Sequence, residues 1–205
     1  MKIICIGNNY KDHVKEMQSK LPEEPVFFLK SDSCLLLRNN PFYIPEFSNE
    51  IHYEIETVLK ISKVGKCIEP QFAHRYYNAI GLGIDFTARD IQNKSKKLGL
   101  PWASAKAFDG SAVLSEFYPI EKFKNINNLD FSLHKNDVLV QKGNTGNMIF
   151  SFDEIVSYVS KFMTLKLGDY IYTGTPAGVG KININDKLTG YLGNIEAPLI
   201  NMKIK

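Results

Sequence analysis

Cysteine is scarce in this sequence, and its spacing excludes two common uses of the residue. The 205 residues include only Cys5, Cys34 and Cys67. An odd number of cysteines without a C-x-x-C pair argues against a disulfide framework and against a zinc site. No secretory apolar segment precedes Cys5, because the first strand-like residues run directly into Gly7. We therefore expect free thiols in a cytoplasmic protein.

Long hydrophobic runs and a strong net charge are also missing. The longest apolar stretches, such as residues 25–29, are far below the roughly 18 residues that a membrane span needs. A net charge of +3 is small, and the basic run from Lys94 to Lys97 is typical of a solvated helix face. We expect neither a membrane nor a nucleic-acid partner. The length, with 44% hydrophobic and 23% charged residues, predicts one globular domain over residues 1–205.

Two acids interrupt a stretch, residues 51–61, that otherwise has the pattern of a buried strand. Side chains alternate between the two faces of a strand, so Glu54 and Glu56 share one face, roughly 7 Å apart. Carboxylates this close repel each other, and water, a basic neighbour or a cation held between them relieves the repulsion. A solvated polar face and a cation site both fit this pattern.

A third acid, Asp85, ends the predicted central strand 77–85 and precedes a predicted helix that runs to Leu98 and Gly99. Thr87 is the expected cap of that helix. Taken alone, Asp85 is an ordinary turn residue. As a third oxygen donor beside Glu54 and Glu56, it completes a site for a hard divalent cation.

Two patterns supply groups for acid–base or charge chemistry. His13 and Glu16 are three residues apart on a predicted helix and share a face. A carboxylate that orients a histidine makes a general base, although such pairs are also common on surfaces. Lys106 lies in a predicted loop, residues 101–110, where its ammonium either reaches solvent or enters a polar pocket.

The remaining patterns indicate a β-rich α+β fold. Short apolar runs are separated by turn residues, among them Asn39, Asn40 and Pro41, and a capping box at Ser151 opens an amphipathic helix. The loop at residues 173–180 offers hydroxyls and backbone N–H groups to an anion. It lacks the residue order of a P-loop, so nucleotide binding is not indicated.

In chain order these segments resemble the fumarylacetoacetate hydrolase family, most closely its short branch of acylpyruvases and oxaloacetate decarboxylases. The resemblance covers nearly the whole chain. The matching motifs are Gly7-x-Asn9-Tyr10-x-Asp12-His13, Phe28-Leu29-Lys30, His52-x-Glu54-x-Glu56, Asp85-x-Thr87-Ala88-Arg89-Asp90, Gly99-Leu100-Pro101-Trp102 with Lys106, Gly143-x-Thr145-x-x-Met148-Ile149-Phe150, and Thr173-Gly174-Thr175-Pro176-x-Gly178-Val179-Gly180.

The resemblance implies a mixed β-sheet roll with short flanking helices, a homodimer, and a Mg²⁺ or Mn²⁺ ion held by Glu54, Glu56 and Asp85. It also implies roles for seven further residues: His13 and Glu16 activate water, Lys106 meets developing negative charge, and Lys30, Arg89, Gln92 and Thr175 lie near the substrate. Asn8 and Ser31 depart from the residues that many relatives carry, which affects the expected substrate preference more than the chemistry.

The implied function is metal-dependent cleavage of a C–C bond in a small 2-oxo acid or β-diketo acid. Hydrolysis of an acylpyruvate to pyruvate and a carboxylic acid is one such reaction, and decarboxylation of oxaloacetate is another. The alternative enzyme is an isomerase or decarboxylase of 2-hydroxy-dienoate dicarboxylates from aromatic breakdown. The alternative outside catalysis is a silent module that only binds a metal or ligand.

Overall fold

Strands dominate the computed structural model, which describes residues 1–37 and 40–205. The strands are β1 (Ile3–Gly7), β2 (Val26–Lys30), β3 (Leu35–Leu37), β4 (Ile51–Tyr53), β5 (Ile55–Ile61), β6 (Tyr77–Asp85), β7 (Thr87–Ala88), β8 (Ala112–Leu114), β9 (Tyr118–Pro119), β10 (Asp130–Lys135), β11 (Val138–Asn144), β12 (Tyr170–Tyr172), β13 (Gly180–Lys181), β14 (Lys187–Leu192) and β15 (Ile200–Lys203). The α-helices are α1 (Lys11–Glu16), α2 (Arg89–Leu98), α3 (Ala103–Lys106) and α4 (Phe152–Phe162). The predicted β-rich α+β class is confirmed.

The largest sheet formed by the described residues has eight strands and is mixed, as expected. Its order is β2-β1-β12-β5-β6-β8-β3, with β9 also paired to β6. The β1–β12 and β3–β8 pairs are parallel and the others are antiparallel. A second sheet has the order β11-β10-β14-β15, and a small third sheet has the order β13-β4-β7.

The main hydrophobic core lies against the central strands β5 and β6 and includes side chains of α4 and the second sheet. Ile55 and Leu59 of β5 and Leu82 of β6 are completely buried. A glycine in β6 permits close packing here, because a Cβ on Gly83 would lie 2.3 Å from Cε1 of Tyr172. The capping box predicted at Ser151 and Glu154 is present and starts α4.

The predicted strand 51–61 is in fact two strands, and the break falls at Glu54. β4 pairs with β7 and β13, whereas β5 pairs with β6 and β12. The chain therefore passes from the small sheet to the large one between Tyr53 and Ile55. Glu54 lies at this transition, outside both strands.

Three local predictions were wrong because tertiary contacts outweighed local signals. Thr87 belongs to β7 and does not cap α2, whose N-cap is Ala88 without a side-chain hydrogen bond. The predicted loop 101–110 contains the short helix α3. The apolar run 26–30 has the pattern of a buried strand, but it forms the edge strand β2, with Val26 and Leu29 exposed and only its last residue, Lys30, fully enclosed.

Three further expectations concern a turn, the cysteines and the apolar segments. The turn predicted around Asn39 falls partly outside the described residues, which omit Asn39. All three cysteines are free thiols, as expected. Among the helices of the described residues, none combines the length and apolar character needed to cross a membrane.

Candidate metal centre and active-site cavity

Three buried carboxylates converge at the carboxyl end of β6. Glu54 comes from the β4–β5 transition, Glu56 from β5 and Asp85 from the last position of β6. One oxygen from each lies within 4.8 Å of the other two. Pairing of β5 with β6 places the Glu56 position opposite Gly83, two residues before Asp85. Sheet pairing thus brings together acids that are about 30 residues apart in the chain.

Three cations surround these acids. Lys106 Nζ lies 2.7 Å from Glu54 Oε2, 2.7 Å from Asp85 Oδ2 and 2.6 Å from Thr87 Oγ1. Arg89 Nη2 donates to Glu54 Oε1. Lys30 Nζ lies 2.7 Å from Asp85 Oδ1. Glu54 and Asp85 are therefore both ion-paired, whereas no cationic side chain of the described residues lies within ion-pair distance of Glu56.

The charges around the two glutamates shift their pKa values in opposite directions. Burial acts to raise the pKa of Glu54, but the charges of Lys106 and Arg89 outweigh it and hold that pKa well below its usual range. Burial raises the pKa of Glu56, and the negative charges of Asp85 and Glu54 raise it further. The hydrogen bond that Glu56 Oε2 accepts from Gly174 N, at 2.6 Å, opposes this shift only in part.

The donor set fits a hard divalent cation. Three buried carboxylate oxygens within reach of one point are the ligands that Mg²⁺ and Mn²⁺ prefer. Asp85 Oδ1 is buried and accepts no hydrogen bond of good geometry, although Lys30 lies close to it. A cation bound here would also relieve the repulsion that raises the pKa of Glu56.

A cavity opens beside these carboxylates, and most of the predicted site residues line it. They are His13, Glu54, Asp85, Arg89, Gln92, Lys106 and Thr175. Asn8 also lies on its wall, in a left-handed backbone conformation with φ of 58°. Ser31, the other departure from the family pattern, is exposed and contacts Ser33 Oγ at 2.7 Å.

His13 and Glu16 form a contact on the helix α1 at the edge of the cavity. His13 Nδ1 lies 3.1 Å from Glu16 Oε2, and Gly178 N donates to Glu16 Oε1 at 3.0 Å. Since a carboxylate accepts only, Nδ1 carries a proton, and in the neutral imidazole Nε2 is the acceptor. The pair thus has the geometry of an oriented general base, with Glu16 itself fixed by the loop after β12.

Arg89 and Gln92 extend the polar wall along α2. Arg89 Nη1 donates to Gln92 Oε1 at 2.6 Å, and Arg89 Nε donates to His52 Nδ1 at 3.4 Å. His52 Nε2 contacts Glu50 Oε1 at 2.9 Å, which leaves Nδ1 as an acceptor. Burial and the Arg89 charge lower the pKa of His52. A neutral histidine therefore helps to hold the guanidinium in place.

Lys30 has a different position from the other predicted substrate contacts. Its ammonium is enclosed behind Asp85, where it donates to Ser111 O and Ser111 Oγ at 2.9 Å each, and to Lys106 O. These contacts join β2 to the segment that carries Lys106. From this position Lys30 orients Asp85 and the Lys106 backbone.

Two residues that build the site were not assigned a role from the sequence: Gln141 lies in no motif, and Asn9 was noted only as part of one. Gln141 of β11 is buried, accepts from Ile55 N at 2.9 Å, and donates to Thr175 Oγ1 and Pro176 O at 2.9 Å each. It therefore joins the backbone between the two glutamates to the loop after β12. Asn9 is also buried and bonds the backbone of Phe150 and the carbonyl of Thr173.

This combination of a mixed β roll and a buried three-carboxylate centre defines a class of metal-dependent enzymes of small oxo acids. The chain belongs to the fumarylacetoacetate hydrolase family: residues 2–199 match the family model for the fumarylacetoacetate (FAA) hydrolase C-terminal domain. The short branch expected from the motifs is confirmed by its relatives.

Three similar proteins are named for reactions of oxaloacetate or fumarylpyruvate. The chain is 42% identical to mitochondrial oxaloacetate tautomerase FAHD1 of Bos taurus, over 99% of this chain and 90% of that one. It is 40% identical to oxaloacetate tautomerase YcgM of Escherichia coli, over 92% and 86%. It superposes with a TM-score of 0.93 and 30% identity on fumarylpyruvate hydrolase of Pseudomonas aeruginosa, crystallised with Mn²⁺ and pyruvate, covering 100% of this chain and 90% of that one.

Proposed function

We propose that this protein is a Mg²⁺- or Mn²⁺-dependent enzyme that cleaves a C–C bond in a small 2-oxo acid, with hydrolysis of an acylpyruvate as the reference reaction. The observation that carries the proposal is the convergence of three carboxylate oxygens within 4.8 Å beside a cavity lined by His13. The Pseudomonas relative, which bound Mn²⁺ and pyruvate in its crystal, supports both the cation and the product.

The residues divide into those that hold charge and those that move a proton. Glu54, Glu56 and Asp85 would hold the cation, which would supply Lewis-acid chemistry by polarising carbonyl oxygens and stabilising the enolate that the breaking C–C bond leaves. His13, oriented by Glu16, takes a proton from the water that attacks the acyl carbonyl. The C–C bond between the acyl carbonyl carbon and C3 of the pyruvate fragment then breaks, the acyl group leaves as a carboxylic acid, and the enolate of pyruvate takes up a proton at C3.

Lys106 has a broader role than the one expected from the family resemblance alone. Its three hydrogen-bonding partners in this structure include two of the carboxylates, so its ammonium balances the charge of the centre. We propose that it also faces the oxygen on which negative charge develops. Arg89, Gln92 and Thr175 bind the carboxylate and oxo group of the substrate from the cavity wall.

A second reaction, on oxaloacetate, is favoured by the similarity of this chain to oxaloacetate tautomerases. Oxaloacetate offers the same 2-oxo acid group, and its tautomerisation or decarboxylation needs no attacking water. The same cation and the same Arg89 and Gln92 contacts would serve these reactions. We retain oxaloacetate as the second candidate substrate, because the sequence match to the tautomerases extends over nearly the whole chain.

The proposal includes three properties of the whole protein. Residues 1–205 form a single catalytic domain, the active form is a homodimer, and the substrate is a small molecule. A cytoplasmic location stays a prediction; the bovine relative is named as mitochondrial. Light scattering during gel filtration tests the dimer, which would have about twice the chain mass of 23.3 kDa.

Pyruvate release from acetylpyruvate in the presence of Mn²⁺ tests the proposed function. We expect His13→Ala to lower kcat by about 100-fold or more, the usual contribution of a general base. His74→Ala is the matched control, because His74 is an exposed histidine that does not line the cavity. Full hydrolase activity in His13→Ala would show that the dyad assignment is wrong. Retained oxaloacetate turnover in the same variant would favour the reaction without water attack.

A further inference from the structure

Lys96 lies on the cavity wall, although its position in a basic run is typical of solvent-facing lysines. It belongs to α2, where it comes four residues after Gln92 and seven residues after Arg89. Residues at this spacing share one helix face, and seven residues span about 10 Å of helix. All three line the cavity. This face of α2 thus forms a polar wall that runs from the three carboxylates to the mouth of the cavity, where the exposed Lys96 lies.

An aromatic ring holds the Lys96 side chain at the mouth. Its Nζ lies 5.4 Å from the ring centroid of Trp102, a distance at which a cation is attracted by the face of the ring. Trp102 also lines the cavity and packs edge-on against Phe28, with ring centroids 6.1 Å apart. The ammonium is therefore held beside the opening, and a large part of the residue stays exposed.

Lys96 differs from the other cations of the site in its partners. Arg89, Lys106 and Lys30 each contact a carboxylate oxygen of Glu54 or Asp85. For Lys96, no carboxylate of the described residues lies within ion-pair distance. Burial and the charge of Arg89 lower the pKa of Lys96, as expected for an ammonium with cationic neighbours and no bound anion.

We propose that Lys96 is a specificity-determining residue that binds the distal carboxylate of a dicarboxylic 2-oxo acid. The inference rests on the proposed function, because the 2-oxo acid end of the ligand lies at the carboxylate centre, near Arg89 and Gln92. A second carboxylate at the other end then reaches the mouth, where Lys96 supplies the unpaired positive charge. A ligand with an apolar distal end leaves that charge without a partner.

A pair of uncleaved ligands isolates this contact from catalysis. 2-Oxoglutarate and 2-oxopentanoate have the same five-carbon 2-oxo acid skeleton and differ in the distal carboxylate. Isothermal titration in the presence of Mn²⁺ measures the affinity of each for the wild-type protein. We expect 2-oxoglutarate to bind about fivefold more tightly, the upper range for one partly exposed ion pair. The preference should shrink as salt is added.

Three variants assign the preference to the ammonium of Lys96. Lys96→Met keeps the helix propensity and the apolar stem, and we expect it to bind both ligands within about twofold of each other. Lys96→Arg keeps a charge at the mouth and should keep the preference. Lys97→Met is the matched control, since Lys97 is the next residue of the same helix, is exposed and does not line the cavity.

The possible results separate this inference from the proposed function. Equal affinities in the wild type, or an unchanged preference in Lys96→Met, would overturn the role of Lys96. Failure of the wild type to release pyruvate from acetylpyruvate would instead count against the proposed reaction. Such a failure would leave a measured binding preference, and its dependence on Lys96, intact.

Discussion

Glu54 and Glu56 are two residues apart, yet their electrostatic surroundings are opposite. Glu54 contacts Lys106 and Arg89, and its pKa is lowered. Glu56 accepts one backbone hydrogen bond, is repelled by Asp85 and Glu54, and has a raised pKa. Without a bound cation, ionised Glu56 therefore opposes folding while ionised Glu54 supports it.

We expect Glu56→Gln and Glu54→Gln to change stability in different directions in EDTA at pH 7. Glu54→Gln leaves the buried Arg89 without its carboxylate and leaves Lys106 paired with Asp85 alone, which costs about 3–5 kcal/mol. Glu56→Gln removes a repelled charge and should leave the free energy of unfolding unchanged or higher. Urea denaturation measures both, and an equal loss in the two variants would contradict this account.

The same difference gives a pH dependence with a defined sign. The pKa of Glu56 is raised on folding. The contribution of Glu56 to the free energy of unfolding is therefore fully present below the unfolded-state pKa and is lost as the pH rises through the folded-state pKa. The wild type in EDTA should therefore lose this contribution towards higher pH, and Glu56→Gln should not. Both glutamine variants should bind Mn²⁺ far more weakly.

Among the elements, the loop after β12 connects three parts of the site. Gly174 N donates to Glu56, Gly178 N donates to Glu16, and Thr175 accepts from Gln141. This loop therefore positions Glu56 of the metal centre, Glu16 beside His13, and Thr175 in the cavity wall. Displacement of this loop would disturb all three together.

We expect Gly174→Ala to be much more damaging than Gly168→Ala. Both glycines have positive φ, 104° and 82° respectively, so each alanine carries a backbone cost of about 1–3 kcal/mol. A Cβ on Gly174 would also lie 2.6 Å from Asn9 Cβ, whereas a Cβ on Gly168 meets nothing within 4 Å. Urea denaturation and pyruvate release measure the difference. Equal losses would show that the contact with Asn9 is relieved at little cost.

At the scale of the whole molecule, the site depends on contacts between sheets. The carboxylates come from the β4–β5 transition and the large sheet, while Gln141 reaches them from the second sheet. A cation bound at this centre should therefore stabilise the molecule as one unit. A ligand that binds only the folded state contributes about 2.7 kcal/mol at 100 times its Kd.

We expect saturating Mn²⁺ to raise Tm by about 5–10 °C in a single transition, since each kcal/mol shifts Tm by about 2–4 °C in a protein of this size. EDTA should reverse the shift, and Glu56→Gln should abolish it. Differential scanning calorimetry measures the effect. Two separate transitions, or an unchanged Tm, would argue against a centre shared by the two sheets.

The amino-acid sequence by itself determined the local elements and the kinds of side chain available. The strand 77–85, the capping box at Ser151 and the free thiols all follow from local periodicity, capping residues and spacing. The family resemblance, carried by separated motifs, led to the fold class. These properties depend on residues close together in the chain, which is why one sequence suffices to predict them.

Only the tertiary structure decided which of these side chains meet. Asp85 joins the two glutamates because β6 pairs with β5, and Glu54 lies outside both strands because the chain changes sheets there. Gln141 and Lys96 are ordinary residues of a strand and a basic helix until packing places one against Ile55 and the other beside Trp102. Contacts between segments distant in the chain depend on sheet pairing and packing, which local patterns do not encode.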